Sequence, residues 1–363
     1  MTPRSRSTLV YVGFLTTCFL FLDLLLGSLV ARSDHSFRTS HPYYHHGLRV
    51  SRSAETAWGG RTYPMQTDSL GFRDAAPTEV APRTDGDRVI LIGDSMLEGL
   101  GVRYEDTAAG ILATHGRSRG IEVLNAAVVS YSPKLYDLRT RWLVEHEGVT
   151  FQRLVVFLDV SDIHDEILYE DFVARAEPSW TTDGAEWWRT HSLIWQLVRR
   201  FDPNRIDNRF RRDADIDVWM RTVDAYRRAT GNPDVGRWEW TYDDAAFRAF
   251  GAHGLELAER HMSELAAFCR EHGIELLIVV YPSPYQILAG ELEGRQTIFW
   301  RAFSERENVT FVNLFPAFID PAGEDAESVY QHYFLPDDVH WNEAGHARVA
   351  ERVEDVVLAP VER

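Results

Sequence analysis

Two short segments contain the residue types that nucleophilic catalysis requires. Ser95 ends a Gly-Asp-Ser triplet that directly follows the apolar run Ile-Leu-Ile. Asp337 and His340 lie three residues apart near the end of the chain. A serine hydroxyl becomes an effective nucleophile when an imidazole accepts its proton and a carboxylate holds that imidazole in the correct tautomer. The order Ser95, Asp337, His340 therefore predicts an activated serine with its own base.

Each segment alone has a simpler interpretation. An Asp-Ser pair after a strand often begins a helix, because short polar side chains cap the free N–H groups there. Asp337 and Asp338 are typical turn residues, and His340 alone would be a surface histidine. However, the carboxyl edge of an α/β sheet, where Ser95 is predicted, is where ligands bind. Residues three apart in a turn share one side, so Asp337 and His340 can act together. The combination favours catalysis.

The same residues resemble a known superfamily. Gly-Asp-Ser95 near the start of an α/β region, with Asp337-x-x-His340 near its end, is similar to the SGNH (GDSL-type) hydrolases. The resemblance covers roughly residues 88–358, with residues 163–250 standing outside it as an insertion. It implies a flavodoxin-like sandwich and a Ser-His-Asp triad. Members of this superfamily hydrolyse or transfer acyl groups on carbohydrates, lipids and other esters.

The resemblance also implies three donors to the oxyanion of a tetrahedral intermediate. They are the backbone N–H of Ser95, a glycine after the second strand and an asparagine after the third. Here Ser130 occupies the glycine position and Ser161 the asparagine position. Ser130 supplies the same backbone N–H, whereas the Ser161 hydroxyl is a shorter donor than an amide. Because loss of one oxyanion donor lowers rates by about 10²–10³, we expect either a slower enzyme or a subfamily in which Ser161 is the adapted donor.

The chain alternates short apolar runs with amphipathic stretches from residue 88 onward. Runs that are apolar throughout are typical of strands covered on both faces, as in a parallel sheet. Leu255–Glu271 has the spacing of an amphipathic helix, and Gly273 follows it as a cap. The pattern predicts a three-layer α/β/α flavodoxin-like sandwich with a mostly parallel sheet. The five predicted strands are Arg88–Ile92, Glu122–Asn125, Leu154–Leu158, Glu275–Tyr281 and Thr310–Leu314.

The N-terminal segment predicts the location of the protein. Leu9–Val30 is a run of 22 residues whose one charge is Asp23, and this length spans a bilayer at helical rise. Arg4 and Arg6 precede it, which favours a cytoplasmic N-terminus and an extracytoplasmic remainder. We therefore predict a single-pass signal anchor over residues 1–31 in the cell membrane. A cleaved secretory signal is the alternative, and Asp23 is unfavourable inside hydrocarbon.

Residues 32–87 are predicted to be a stalk and an irregular lead-in. The histidine cluster in this region, His41, His45 and His46, is interpreted as part of a solvated juxtamembrane loop. A metal site is the weaker alternative, because no carboxylate or cysteine completes a ligand set. The two cysteines, Cys18 and Cys269, lie far apart and form neither a disulfide framework nor a zinc site.

Composition limits the classes of partner. With 55 acidic and 38 basic residues among 363, the formal net charge is −17, so nucleic acid is not an expected partner. No P-loop or Gly-x-Gly-x-x-Gly motif is present in the sequence, and we expect no cofactor. The insertion is predicted to be mostly helical. Its tryptophans are more often packing residues than a platform for sugar rings; they are Trp180, Trp187, Trp188, Trp195, Trp219, Trp238 and Trp240.

These observations lead to one expected function and its alternatives. The chain is expected to be a serine-dependent acyl-ester hydrolase that acts outside the cytoplasm on O-acylated carbohydrate. An O-acetyltransferase of cell-surface polysaccharide would use the same acyl-enzyme and pass the acyl group to a sugar hydroxyl. A non-catalytic glycan-binding protein on the same fold is the alternative from another class. A lipid esterase is less favoured, since the sequence has no signature of an acyl-chain groove.

Overall fold

The computed structural model describes residues 3–32, 37–175, 188, 191–200, 237–319 and 325–360. The chain divides into two compact units. The first, here called the anchor unit, comprises residues 1–37 and 175–211. The second, here called the sandwich unit, comprises residues 38–174 and 212–363. The anchor unit contains helices α1 (Pro3–Arg32) and α6 (Leu193–Arg200).

The sandwich unit is organised around a sheet of eight strands in the order β10-β9-β8-β6-β7-β5-β4-β3. The five strands from β10 to β7 pair in parallel, and β5, β4 and β3 extend the sheet antiparallel. A separate antiparallel hairpin, β1–β2, precedes them. The strands are β1 (Arg38–His41), β2 (His45–Leu48), β3 (Ser53–Trp58), β4 (Arg61–Thr67), β5 (Arg73–Asp74), β6 (Asp87–Ile92), β7 (Ile121–Asn125), β8 (Arg153–Leu158), β9 (Glu275–Val280) and β10 (Thr310–Asn313).

Helices cover both faces of the parallel part, which makes the unit a three-layer α/β/α sandwich. Alternate residues of β6, such as Val89 and Leu91, join one apolar core with residues of α3 and α13. Helices α4, α5 and α8 pack against one another as a second group. The helices of the sandwich unit are α2 (Ser95–Glu98), α3 (Ala108–Ser118), α4 (Pro133–Arg141), α5 (Asp162–Leu168), α7 (Asp244–Ala246), α8 (Ala252–Glu271), α9 (Pro284–Leu288), α10 (Arg295–Glu307), α11 (Phe315–Phe318), α12 (Ala326–Tyr333) and α13 (Glu343–Val357).

The strand register brings three chain segments to one edge of the sheet. Ile92 of β6 pairs with Val156 of β8, and Leu91 of β6 pairs with Asn125 of β7. All three strands run in the same direction, so the residues that follow them lie beside one another. These are residues 93–95, 126–131 and 159–162. Ser95 and both predicted oxyanion residues therefore lie at the carboxyl edge of the sheet.

The predicted fold class is confirmed. The five predicted strands correspond to β6–β10, with ends that agree to within a residue. The predicted helix at Leu255–Glu271 is the main part of α8, which begins at Ala252 and follows a π-helical turn over Phe247–Gly251. Gly273, with φ 67°, provides the left-handed turn after it.

The structure differs from the prediction for residues 32–87. Five strands lie between residues 38 and 74, and three of them belong to the main sheet, so residues 38–74 are neither a stalk nor irregular. The β3–β4 hairpin was missed because its strands are polar and partly exposed. Its two-residue turn, Gly59-Gly60, has φ 56° and 71°, which is the left-handed geometry that tight hairpins require.

The histidine segment also differs from the prediction. His45 and His46 lie in β2 and are buried, so the solvated loop expected here is corrected to a packed hairpin. Their Nδ1 atoms are 2.8 Å apart, and His46 Nε2 lies 2.9 Å from the carbonyl oxygen of Val129. Burial, followed by the positive charge of His45, holds the pKa of His46 well below its usual range. The hairpin therefore contacts the segment that follows β7.

Only part of the predicted insertion belongs to the described residues. Trp180, Trp187 and Trp219 lie outside them. Trp240 is fully buried and donates its indole N–H to the carbonyl of Val160 at 2.9 Å, which is a packing role.

Candidate active site

The nucleophile candidate is placed by the turn from β6 into α2. Ser95 is the first residue of this helix, and the Asp94 carboxylate caps it by accepting the Met96 N–H at 2.9 Å. Gly93 permits the close packing of this turn, because a Cβ there would lie 3.1 Å from Cβ of Phe157 and 3.2 Å from Cβ of Leu97. Ser95 itself is partly exposed. The local sequence thus presents its hydroxyl at the carboxyl edge of the sheet.

His340 completes the first half of the expected arrangement. Its Nε2 lies 2.9 Å from Oγ of Ser95, although 245 residues separate the two in sequence. The loop before α13 positions the ring, since Leu335 N–H donates to the His340 carbonyl at 2.8 Å. The imidazole is buried, which protects its hydrogen bonds from water. The distance is that of a general base on the serine hydroxyl.

The carboxylate that meets this imidazole belongs to Asp338. Its Oδ1 lies 2.5 Å from Nδ1 of His340 and also accepts the His340 backbone N–H at 3.1 Å. The prediction that Asp337 orients the histidine is corrected. Partial burial alone would raise the pKa of Asp338, but the hydrogen bond and charge of His340 lower it below 3.8. The carboxyl group is therefore ionised at neutral pH.

A tight turn explains the shift by one residue. The Asp338 N–H donates to the Leu335 carbonyl at 3.1 Å, and Asp337 has φ 55°. With Pro336 at the second position and a left-handed third residue, this is the pattern of a type II β-turn. Asp337 is the exposed tip of that turn, whereas Asp338 follows it and points back to His340.

Trp58, at the tip of the β3–β4 hairpin, was not predicted as a site residue. Its indole N–H donates to Oδ2 of Asp338 at 2.9 Å, and its ring lies edge-on to His340 with centroids 5.2 Å apart. The side chain is 40% exposed. Trp58 therefore occupies the second oxygen of the carboxylate and forms a wall of the site. The sequence of residues 32–87 contains no pattern that indicated this contact.

Ser130 has a left-handed backbone conformation. Its φ is 58°, a value that favours glycine. Its carbonyl accepts the Tyr169 hydroxyl at 2.9 Å. Neither Ser130 N–H nor Ser95 N–H donates to another residue in the described part of the chain. Both amides are therefore available for an oxyanion.

The structure assigns the Ser161 hydroxyl to a different bond. Its Oγ donates to Oδ2 of Asp159 at 2.5 Å, and its backbone N–H donates to the same oxygen at 3.1 Å. Ser161 directly precedes α5. The Asp159 carboxylate therefore binds a residue of the same short loop between β8 and α5. The prediction of Ser161 as an oxyanion donor is therefore corrected, because its hydroxyl proton is already used.

Glu98 fixes the loop that contains Ser130. This glutamate is fully buried in α2 and accepts the Val129 N–H at 2.7 Å. The same carboxylate pairs with Arg38 of β1 through two hydrogen bonds of 2.7 and 2.9 Å. The residue next to Ser130 is thus held by a buried carboxylate that is paired with Arg38, the first residue of β1.

Buried acids underlie the site. The Asp94 carboxyl accepts the Tyr281 hydroxyl at 3.1 Å, and burial, followed by the nearby Asp159 charge, raises its pKa well above 3.8. Burial also raises the pKa of Asp159, with its Ser161 hydrogen bonds opposing the shift. Burial, followed by the charge of Asp94, likewise raises the pKa of Asp162. These three buried carboxyls are protonated more readily than Asp338. They differ in this way from the ionised acid beside His340.

No group of three or more His, Cys, Asp or Glu side chains within the described ranges has the arrangement of a metal site. The side chains in mutual contact at the candidate active site are Ser95, His340 and Asp338.

Comparison with known proteins gives matches among solved structures. No family model and no curated protein sequence matches the chain. A catalytic mutant of the acetylxylan esterase Axe2 from Geobacillus stearothermophilus is similar at 12% identity and TM-score 0.41, over 77% of this chain and 97% of that one. The acetyl xylan esterase AlAXEase is similar at 15% identity and TM-score 0.40, over 74% and 99%. A GDSL-like lipase from Bacteroides thetaiotaomicron VPI-5482 is similar at 9% identity and TM-score 0.38, over 77% and 91%.

The chain has the α/β fold class with a mostly parallel central sheet that the sequence predicted. Its parallel strands place the Gly-Asp-Ser triplet after β6, and the histidine loop precedes the last helix. The activities of the named enzymes are their own. Departures from the SGNH pattern are Ser130, Ser161 and the acid two residues before the histidine instead of three.

Proposed function

We propose that the chain is a serine acyl-ester hydrolase. The observation that supports this most directly is the continuous set of contacts from Asp338 through His340 to Ser95, at 2.5 and 2.9 Å. Ser95 Oγ bonds to the ester carbonyl carbon as His340 Nε2 takes its proton, and the N–H groups of Ser95 and Ser130 stabilise the oxyanion. The imidazolium then protonates the leaving alkoxide as the C–O bond breaks. Water, deprotonated by His340, releases the acid and restores Ser95.

The proposed substrate is an O-acylated carbohydrate. Two exposed aromatic side chains lie at the carboxyl edge of the sheet, Trp58 beside Asp338 and Tyr285 in α9 after β9, each 40% exposed. Tyr285 stacks on Trp238 with centroids 3.5 Å apart and planes at 5°, which makes a rigid flat surface. Flat aromatic faces suit the apolar faces of sugar rings.

The proposed setting is the outer face of the cell membrane. Tyr11–Leu29 of α1 is long and apolar enough to cross a bilayer, with mean hydropathy 2.0 in its most apolar window. Arg4 and Arg6 before it favour an N-terminus that stays inside. Under this proposal α1 remains in the mature protein and the sandwich unit faces surface glycans.

The chemistry is tested by fluorophosphonate labelling of the full chain in detergent. Wild type should be labelled at Ser95, while Ser95→Ala and His340→Ala should not, and all three should show the same circular dichroism. Acetylated xylan and p-nitrophenyl acetate then report acetate release, with and without an added sugar acceptor. Acetyl transfer to the acceptor would make the enzyme a transferase. A folded wild-type protein that neither labels nor releases acetate would refute the proposal in favour of glycan binding without catalysis.

A further inference from the structure

The anchor unit contains a carboxylate in an unusual place. Asp23 lies within the apolar span of α1 but is only 6% exposed. Its Oδ1 accepts the backbone N–H of Ile194 in the first turn of α6 at 2.9 Å. The first turn of a helix has N–H groups with no partner in the helix and a positive partial charge. Asp23 is therefore satisfied by the start of a second helix.

A glycine one turn further along α1 makes that contact possible. Gly27 and Asp23 are four residues apart, so they share one face, and they are the two buried residues of segment 11–29. A Cβ on Gly27 would lie 2.0 Å from the His191 carbonyl oxygen and 2.5 Å from the Leu193 nitrogen. Only glycine allows the two backbones to approach this closely, as small residues do between membrane helices.

Helix α6 and the residues before it expose apolar side chains beside this contact. Ile194 and Leu197, three residues apart, are each 44% exposed, and Trp188 is 40% exposed. The sequence of α6 ends in Arg199-Arg200. An apolar face with a tryptophan nearby and basic residues in the same short helix is the composition of helices that lie in a membrane interface.

The depth of the contact agrees with that location. Asp23 precedes Leu29, the end of the span, by six residues, which is about 9 Å along a helix. Interfacial helices bury their apolar face roughly 5–10 Å below the boundary between headgroups and acyl chains. Leu22, Leu25 and Leu26 of α1 are exposed around the contact, so the apolar surface of α6 continues that of the span.

From these observations we propose that Trp188 and α6 (Leu193–Arg200) lie on the outer leaflet of the membrane, held to a retained α1 by Asp23 and Gly27. The occupant of the exposed apolar face is lipid. The proposal rests on the proposed membrane anchorage and adds a second point of contact with the bilayer. Asp23 lies in α1 and its partner Ile194 lies in α6. Cleavage of α1 from the protein would therefore also remove this contact.

The test uses the full chain, with Cys18→Ser, reconstituted in vesicles of phosphatidylcholine and phosphatidylglycerol. Cys269 is kept, because burial raises the pKa of its thiol to about 12 and leaves it unreactive. An environment-sensitive NBD label is attached at Leu197→Cys or, as the control, at the exposed Glu305→Cys in α10. We expect blue-shifted emission and quenching by spin-labelled lipid at position 197 and neither effect at position 305.

Two substitutions of Asp23 separate the specific contact from general insertion. Asp23→Leu removes the acceptor and should abolish the quenching at position 197, whereas Asp23→Asn keeps an acceptor oxygen and should preserve it. Unquenched label at 197 in a chain that resists carbonate extraction would overturn this inference while leaving the anchor intact. Release by carbonate, or an N-terminus shortened in the mass spectrum, would overturn the anchor as well. Fluorophosphonate labelling in the same vesicles reports on the proposed catalysis separately.

Discussion

The two adjacent aspartates before His340 provide a matched pair of substitutions. Asp338 contacts Nδ1 of His340 at 2.5 Å, whereas Asp337 is the exposed tip of a turn. Replacement of either residue by asparagine removes one negative charge and changes the side chain by one atom. Only Asp338→Asn alters the partner of the imidazole. Asparagine also tolerates the left-handed φ of Asp337 well, so the control substitution is structurally mild.

The expected magnitude follows from the role of the carboxylate. An ionised Asp338 holds His340 with its proton on Nδ1, leaves Nε2 free for the serine and stabilises the imidazolium that forms. An asparagine at such a position allows the wrong tautomer, and rate losses of about 10²–10⁴ are typical. That range corresponds to about 3–5 kcal/mol of transition-state stabilisation. Asp337→Asn should change the rate by less than about twofold, since exposed charges interact weakly.

The assay is the second-order rate of fluorophosphonate labelling, followed by kcat for p-nitrophenyl acetate. The hydrogen bond and charge of His340 outweigh the effect of burial and hold the pKa of Asp338 below its ordinary value. Asp338 thus stays ionised as pH falls through the weakly acidic range, and the ratio of wild type to Asp338→Asn should stay large there.

A large loss in Asp337→Asn with little change in Asp338→Asn would refute this assignment and favour the three-residue spacing. Equal losses in both variants would indicate an effect of net charge or of the turn. Urea unfolding of both variants controls for stability, and similar midpoints are expected.

Other contacts yield separate predictions. Trp58→Phe keeps a ring but removes the N–H donor to Asp338, so kcat/KM should fall about five- to tenfold, as for loss of roughly 1–1.5 kcal/mol, with KM for small esters unchanged. Arg38→Ala leaves the Glu98 charge buried without its cation, and urea unfolding should show a loss on the order of 3 kcal/mol that adding Glu98→Gln partly restores. Burial, aided by the positive charge of Arg73, lowers the pKa of His346 to about 3. Between pH 6.5 and pH 3 the unfolded state therefore binds one more proton than the folded state. The free energy of unfolding should decrease as pH is lowered through that window, by up to about 1.4 kcal/mol per pH unit. His346→Asn should flatten the corresponding change in urea midpoint between pH 7 and pH 5.

The parallel core was predictable because its strands are apolar on both faces. Each of β6, β8 and β9 reads as a continuous hydrophobic run, and burial is nearly complete along them. The position of Ser95 could be predicted for a related reason. Ser95 follows the end of a strand and a glycine and begins a helix. This order places it at the carboxyl edge of the sheet.

The triad acid could not be assigned from spacing. Two aspartates stand side by side, and the choice depends on a turn whose third residue has φ 55°. Aspartate is not the usual residue there, since glycine or asparagine is favoured, so the sequence contains no strong signal for that turn. The predicted role of Ser161 failed for another reason, because the position of Asp159 two residues earlier allows a local hydrogen bond that uses the hydroxyl.

The region between the anchor and the nucleophile illustrates what a pattern of apolar residues misses. Its strands are short and partly polar, so no periodicity distinguished them from a linker. Their side chains nevertheless contact residues of the candidate active site. Arg38 neutralises Glu98, which holds the backbone beside Ser130, and Trp58 binds the carboxylate that orients His340. One contact lies beside Ser130 and the other beside His340. The candidate active site therefore depends on contacts from residues 38–58, which lie outside the sandwich core that begins near residue 88.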